Sequence, residues 1–436
     1  MNKTILMLAT LISSTFAGVA SSETLEQALG LAFASNPQLQ AERAGLRAID
    51  EGLVQARSER LPGLQADGSV GATRLKQSSP FFSSLETYYP NSVSVSGSQT
   101  LYAGGGIRGR IDLARVNVDI GRNNLRNLEQ QVLLDAVTAY VDVRRNSEVV
   151  RIRSNNVDVL LKQLDAAKDR FEVGEITRTG VSQAKARAAG ARSQLAAAKA
   201  ALATARAAYA RTIGQSPGTL EVATLPGNIP ADLAEAIIWS EDSAPVLINA
   251  KLSELSAQHG ITVAKSGLRP RLTLGARAGT ANNNGFSGAE SDFVSTALNF
   301  TMPIFTGGLN RSRVREAIEQ ASKARIGVLQ ARRITHEQVS NAWHNLMAAR
   351  SVIVASQEQV AANQLAFEGV EQEAAVGLRT TLDVLNAEQE LLDARLTLVS
   401  AERDALVAAY GLLRASGRLD MGNLGIAEDN SAVSRQ

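Results

Sequence analysis

The residues Gly104-Gly105-Gly106-Ile107-Arg108-Gly109 spell a formal G-x-G-x-x-G between an alternating segment and a helical one. That spacing is the one with which a dinucleotide site seats a pyrophosphate on a helix N-terminus. The surroundings argue against it. The preceding segment alternates serine with apolar residues instead of being apolar throughout, and the following helix is several times too long. The second copy of the phrase, Gly307-Gly308-Leu309, lacks the remaining glycines. The glycines instead suit a tight turn from strand into helix. His336 and His344 share a long helical segment without a carboxylate–histidine arrangement for zinc binding or general-base work. The chain has no cysteine, which removes disulfides, thiol nucleophiles, thiolate-bound zinc, iron–sulfur clusters and a lipid on an N-terminal cysteine. No nucleophile–base pairing can be read, so the expectation is no enzyme and no cofactor.

The remaining numbers narrow the class. Among 436 residues, 45 Lys+Arg stand against 43 Asp+Glu, and this net charge of +2 gives no surplus for neutralising phosphates. No nucleic-acid partner is expected. Only 4% of residues are aromatic, few for a thick globular core of this length. The start is an export signal, expected over residues 1–22. Lys3 supplies the positive end, Ile5 to Ile12 is nearly all apolar, and Ala17 to Ser22 supplies small residues for cleavage. The apolar run is far shorter than the roughly 20 residues of a spanning helix.

The mature chain is written twice. Asn36-Pro37 and Ala244-Pro245 open the halves; Pro62 is followed by Pro270 at an offset of 208, and Tyr102-Ala103-Gly104-Gly105 by Phe305-Thr306-Gly307-Gly308 at an offset of 203. Val173-Gly174 and Val376-Gly377 mark a later reversal in each half. The first repeat is read as 23–214, with a β-hairpin over 63–103, a long helix over 106–173 and a return helix over 181–213. The second is 244–416, with a hairpin over 270–303, a long helix over 308–376 and a return helix over 384–415. Between them, 215–243 reads as linker or equatorial segment without clear periodicity, and 417–436 as a polar tail.

Period-two alternation carries the strands. Ser92, Ser94, Ser96 and Ser98 interleave with Val93, Val95 and Gly97, and Leu272, Leu274 and Ala276 interleave with Arg271, Thr273, Gly275 and Arg277. Residues 87–107 and 293–310 hold no charge although the chain averages 20%, and about ten residues tilted near 45° cross the ~25 Å apolar band of an outer membrane. Phe81, Phe82, Tyr88 and Tyr89 supply an aromatic girdle in the first hairpin's connection. Four strands per chain leave two open edges, which hydrocarbon does not tolerate. Two chains would give a filled eight-stranded barrel; three give twelve strands and a lumen. The long helices carry a heptad seam, Ile111, Ala114, Val118, Gly121, Leu125, Leu128 and Val132, continuing after a shift through Ala136, Val143, Val150, Val157, Leu164 and Phe171. A second reading keeps the hairpins in water, in a periplasmic or secreted coiled-coil structural or adaptor protein without a pore.

The order of these pieces, with the phrases Ile304-Phe305-Thr306-Gly307-Gly308-Leu309-Asn310-Arg311 and Arg379-Thr380-Thr381-Leu382-Asp383-Val384-Leu385-Asn386, resembles the TolC-like outer-membrane efflux protein family from about Glu23 to Gly417. The resemblance implies a mainly α fold with β: a homotrimeric, twelve-stranded outer-membrane β-barrel, four strands per chain, continuous with a long-helix α-barrel in the periplasm. It implies the passive exit duct of a tripartite efflux or type I secretion system, working with a periplasmic adaptor (membrane fusion) protein and an inner-membrane transporter of ABC, RND or MFS type. By the same resemblance, Asp383 aligns with an inward acidic ring at the periplasmic tip, although with Thr380 it also reads as a helix-capping pair. Asn386 falls where some members carry a second acid. Arg379 aligns with a latch arginine whose family partner, an aspartate, is replaced here by Gly180, which leaves Thr179 as a hydrogen-bonding candidate.

Overall fold

The computed structural model describes residues 22–285 and 287–426; the expected signal segment lies, except for Ser22, outside the described residues. Each half runs short helix, helix, strands, very long helix, return helix. In the first, α1 (Leu25–Ser35) and α2 (Pro37–Ser58) lead through β1 (Gly63–Val70), β2 (Thr73–Ser79), β3 (Phe82–Tyr88) and β4 (Asn91–Ala103) to α3 (Gly106–Glu172) and α4 (Arg178–Ile213). In the second, α5 (Leu233–Ser243) and α6 (Pro245–Ser266) lead through β5 (Arg271–Asn282) and β6 (Glu290–Thr301) to α7 (Leu309–Ala375) and α8 (Thr381–Ala415). Pro37 and Pro245 stand at helix position N1, where a missing N–H costs nothing, and Asn36 accepts from the N–H groups of Gln38 and Leu39.

The sheet is antiparallel in the order β1-β4-β5-β6, so β1 and β6 keep one unpaired edge each. Its register separates two faces. One carries the rows Ala66–Val95–Ala278–Val294, Leu64–Gly97–Ala276–Thr296 and Tyr102–Leu272–Phe300; the other carries Gln65–Ser96–Arg277–Ser295 and Asp67–Ser94–Gly279–Phe293. Val93, Val95, Val294, Leu298 and Phe300 are exposed on the apolar face, a face too extensive to be left to water.

The first hairpin departs from a single pair of strands over 63–103. A separate two-stranded ribbon, β2–β3, extends beyond β1–β4. The ladder breaks where Pro90 has no N–H to give, and Gly71 N–H to Pro90 O at 2.8 Å spans the gap. The aromatics of this connection are therefore split: Tyr88 and Tyr89 sit at the sheet's far end, whereas Phe81 stands exposed at the ribbon tip.

Both strand-to-helix joints need left-handed backbone. Gly104 and Gly105 have φ of 61° and 89°, and Gly307 and Gly308 repeat them at 59° and 87°, a conformation glycine adopts without steric cost. Gly109 lets α3 approach α6, since a Cβ there would meet Val263 Cγ2 at 3.0 Å. The G-x-G-x-x-G thus serves a bend and a helix contact.

The two 67-residue helices, α3 and α7, are each about 100 Å long at ~1.5 Å per residue. On α3 the seam residues Ile111, Val118, Gly121, Val132, Ala136, Val143 and Val157 are buried, while Phe171 is exposed near the end. From Val132 to Val143 burial passes around the helix because α1, α4 and α8 enclose it in the main core, with Tyr140, Tyr209, Leu133 and Leu413. The Tyr140 hydroxyl sits 2.8 Å from Glu23 O and 3.0 Å from Glu221 O, tying down the segment that leads into α1.

Two stretches differ from expectation. The segment 215–243 contains α5, capped by Asp232, whose carboxylate accepts from Glu235 N–H, while Glu235 accepts from Ala231 N–H. The C-terminal stretch is not simply polar: Leu419 and Met421 enter the main core, and its residues 427–436 lie outside the described residues.

Candidate functional site

The helical end farthest from the sheet is formed by two short reversals, α3 to α4 and α7 to α8. Gly174 and Gly377, with φ of 82° and 83°, make the turns, and Thr177 and Thr380 are the N-caps of the returning helices. Thr380 is capped reciprocally. Its Oγ1 accepts from Asp383 N–H at 3.2 Å, and the Asp383 carboxylate accepts from Thr380 N–H at 2.9 Å and from the Thr380 hydroxyl at 2.7 Å. These donors, the backbone N–H foremost, then the hydroxyl and finally the Arg379 charge, hold the Asp383 carboxyl below its usual range. Within one chain Asp383 is therefore a fixed, partly exposed anion at the helix start.

Arg379 turns back on its own reversal, pairing through Nε with Glu373 at 2.8 Å. Thr179 is exposed on the other reversal, and among the described residues no hydrogen bond joins it to Arg379. Asn386 accepts from Arg187 Nη2 at 3.1 Å, linking α8 to α4. The structure thus brings Asp383 to Thr380, Asn386 to Arg187 of α4 and Arg379 to Glu373. His336, one of the two histidines singled out on the long helix, meets Glu241 at 2.9 Å beside Arg332, a clasp between α7 and α5.

The side chain that sequence reasoning missed is Glu388. It is only 7% exposed between α8 and α3, and its carboxyl accepts from Asn156 Nδ2 at 3.0 Å. Burial pushes this carboxyl up; Asn156 and Arg395 act against that, and Glu371 adds to it. Beside it lies an open groove of about 430 Å³, lined by Asn156, Gln183, Arg187, Leu385 and Gln389. A signal was present, since Val384, Leu385, Leu391 and Leu392 form a buried stripe that passes through position 388.

A raised carboxyl binds a proton in the folded state that the unfolded chain has already lost, so stability falls as pH rises from about 4.3 through the folded value. Glu388→Gln keeps an acceptor for Asn156 and removes the charge. It is expected to raise the thermal midpoint near pH 7.5, with the advantage vanishing near pH 4. Melting curves at the two pH values check this, and parallel curves for variant and parent would refute it.

The family model of outer membrane efflux proteins matches residues 28–215 and 240–418. The outer membrane efflux protein BepC of Brucella suis is 35% identical over 408 residues, covering 93% of this chain and 88% of the relative. The outer membrane protein TolC of Escherichia coli is 25% identical over 439 residues, covering 96% and 87%. Among solved structures, the Campylobacter jejuni CmeC outer membrane channel superposes with a TM-score of 0.79 at 17% identity, covering 94% of this chain and 87% of that one.

Proposed function

Because this chain belongs to the outer membrane efflux protein family, it is an outer-membrane channel, and we propose that three copies form the exit duct of a tripartite efflux or type I secretion system. The observation that carries the trimeric duct is the sheet. It has one apolar face, one polar face and two unpaired edges. In hydrocarbon those edges are tolerable only when β6 of one copy pairs with β1 of the next until the cylinder closes. Twelve strands then surround a lumen lined by the polar face. The long helices continue the conduit into the periplasm, where it meets an adaptor protein and an inner-membrane transporter of ABC, RND or MFS type.

The gate reading places Asp383 at the narrow periplasmic end, where three fixed carboxylates favour cations and resist close approach. Asn386 adds a neutral ring one turn on. Arg379 and Thr179 are the residues through which neighbouring reversals would latch, and the Arg379–Glu373 pair is what such a latch has to exchange. The duct is tested by fractionation. The protein should sediment with outer membranes, resist carbonate extraction, run as a heat-sensitive trimer and conduct ions in planar bilayers. Release by salt and carbonate would favour the water-exposed adaptor reading instead.

A further inference from the structure

The polar face of the sheet holds one guanidinium in a built cradle. Arg277 on β5 is in register with Ser96 and Ser295, but its side chain leans one row along to Gly279. There it donates through Nε and Nη2 to Ser94 Oγ at 3.3 and 3.1 Å. The guanidinium carbon also lies 5.4 Å from the ring centroid of Phe293, the β6 partner of Gly279. Gly279 makes this possible. A Cβ at that position would come within 2.5 Å of Val93 O and 2.7 Å of Ser94 Cβ, so no other residue fits the cradle floor without shifting the strands. Ser94, beneath, is 3% exposed.

The charge is held in place without being cancelled. Among the described residues no ion pair joins Arg277 to a carboxylate. Asp67, across β4 from the cradle, receives Gln65 Nε2 at 2.6 Å. Asp67 is the β1 partner of Ser94 and so stands in the cradle's own row, while Arg271, which donates to Thr100 Oγ1 at 3.2 Å, lies at the far end of β5. With Asp67 set against Arg271 and Arg277, the polar face of the four strands keeps a surplus of one positive charge per chain. Of the five N–H groups of a guanidinium, two are spent on Ser94 and the others are left for the lumen.

We propose that Arg277, repeated around the three-fold axis, is a specificity-determining residue: a ring of fixed guanidiniums in the barrel lumen that enriches anions, opposite in sign to the acidic periplasmic tip. The inference rests on the trimeric duct. Twelve tilted strands spaced ~4.8 Å apart enclose a cylinder about 25 Å across between backbones. Three charges about 10 Å from its axis, screened over ~8 Å, enrich anions and deplete cations about 1.8-fold each, or roughly threefold in the permeability ratio.

The absence of native cysteine makes the test clean. Arg277→Cys is placed in an Asp383→Asn background, which removes the tip charge, and reversal potentials are measured under a KCl gradient in planar bilayers. The substitution should shift preference toward cations by roughly threefold. A cationic methanethiosulfonate reagent should restore the parental value, and a sulfonate-bearing one should shift it further toward cations. A reversal potential indifferent to the sign of the label, or a thiol that the reagents do not reach through the lumen, overturns the ring while leaving the duct standing. Loss of all conductance in the unsubstituted protein overturns both.

Discussion

Asp383→Asn is expected to lower the cation-to-anion permeability ratio of the duct by roughly tenfold, the effect of removing three charges at a constriction a few ångströms in radius. Trimer stability should be nearly unchanged. Asparagine keeps an oxygen to accept the Thr380 N–H that Asp383 accepts at 2.9 Å, so the capping geometry survives while the charge does not. Asp383→Ala removes both and should lose selectivity and helix-end order together. The contrast between the two variants separates the proposed ring from the cap, which would share one carboxylate. The pH dependence has a definite sign. Thr380 holds the carboxyl low within each chain, whereas like charges gathered in a ring raise it. Cation preference therefore fades as pH falls, below the ordinary aspartate value near 3.9 where the cap dominates and above it where the ring repulsion does. The cap contribution to stability follows the same window: present above the unfolded value and lost as pH falls through the folded one. Reversal potentials measured across this range check both points. An unaltered ion preference in Asp383→Asn removes the gate assignment.

A second large effect concerns the two faces of β4. Val95 lies in the apolar row with Ala66, Ala278 and Val294, and its neighbour Ser96 lies in the polar row with Gln65, Arg277 and Ser295. Val95→Arg places a charge near the middle of the lipid-facing band at a cost of about 2–4 kcal/mol per chain, three times over in a trimer. The heat-sensitive trimer should largely disappear from the outer-membrane fraction. Ser96→Arg, one residue away, should assemble normally and alter conductance. Electrophoresis of unheated membrane fractions reads both outcomes. Equal tolerance of the two substitutions would mean that the faces are assigned wrongly.

How much of this was legible in the sequence depends on whether the signal was local. The doubled architecture was readable because backbone demands leave residue-type marks. Glycine pairs stand at the strand-to-helix bends, prolines at helix starts, and serines alternate with valines along β4. The β2–β3 ribbon was not separated from the first hairpin, although Gly71 and Pro90 marked the break, because alternation alone does not say where a ladder stops. Helix α5 was overlooked in a proline-bearing stretch, yet Asp232 and Glu235 at capping distance announced it. Burial around α3 near Tyr140 defeats any periodic reading, since a helix enclosed on several sides has no single stripe.

At the tip, Asp383 and Asn386 were named only through the family resemblance, whereas the Thr380–Asp383 cap was written in the sequence as a pair three residues apart. The Arg379–Glu373 pair and the Glu388–Asn156 contact were not visible. The first joins residues across a glycine turn, and the second joins positions 232 residues apart. A glutamate on a long helix is by default a solvated one. Arg277 was read as part of an alternating strand, but its cradle depends on Gly279 and Phe293 meeting in register across two strands, which no linear spacing reports.

The open edges of β1 and β6 carry a genetic consequence. In the proposed trimer each conduit draws on three separately synthesised polypeptides, so a cell making intact and edge-damaged products together fills its envelope with mixed assemblies. The wholly intact ones then decline as the cube of the intact fraction. A lesion in an edge strand that still permits docking should therefore behave as dominant in a partial diploid, whereas a null allele of the same locus should be recessive.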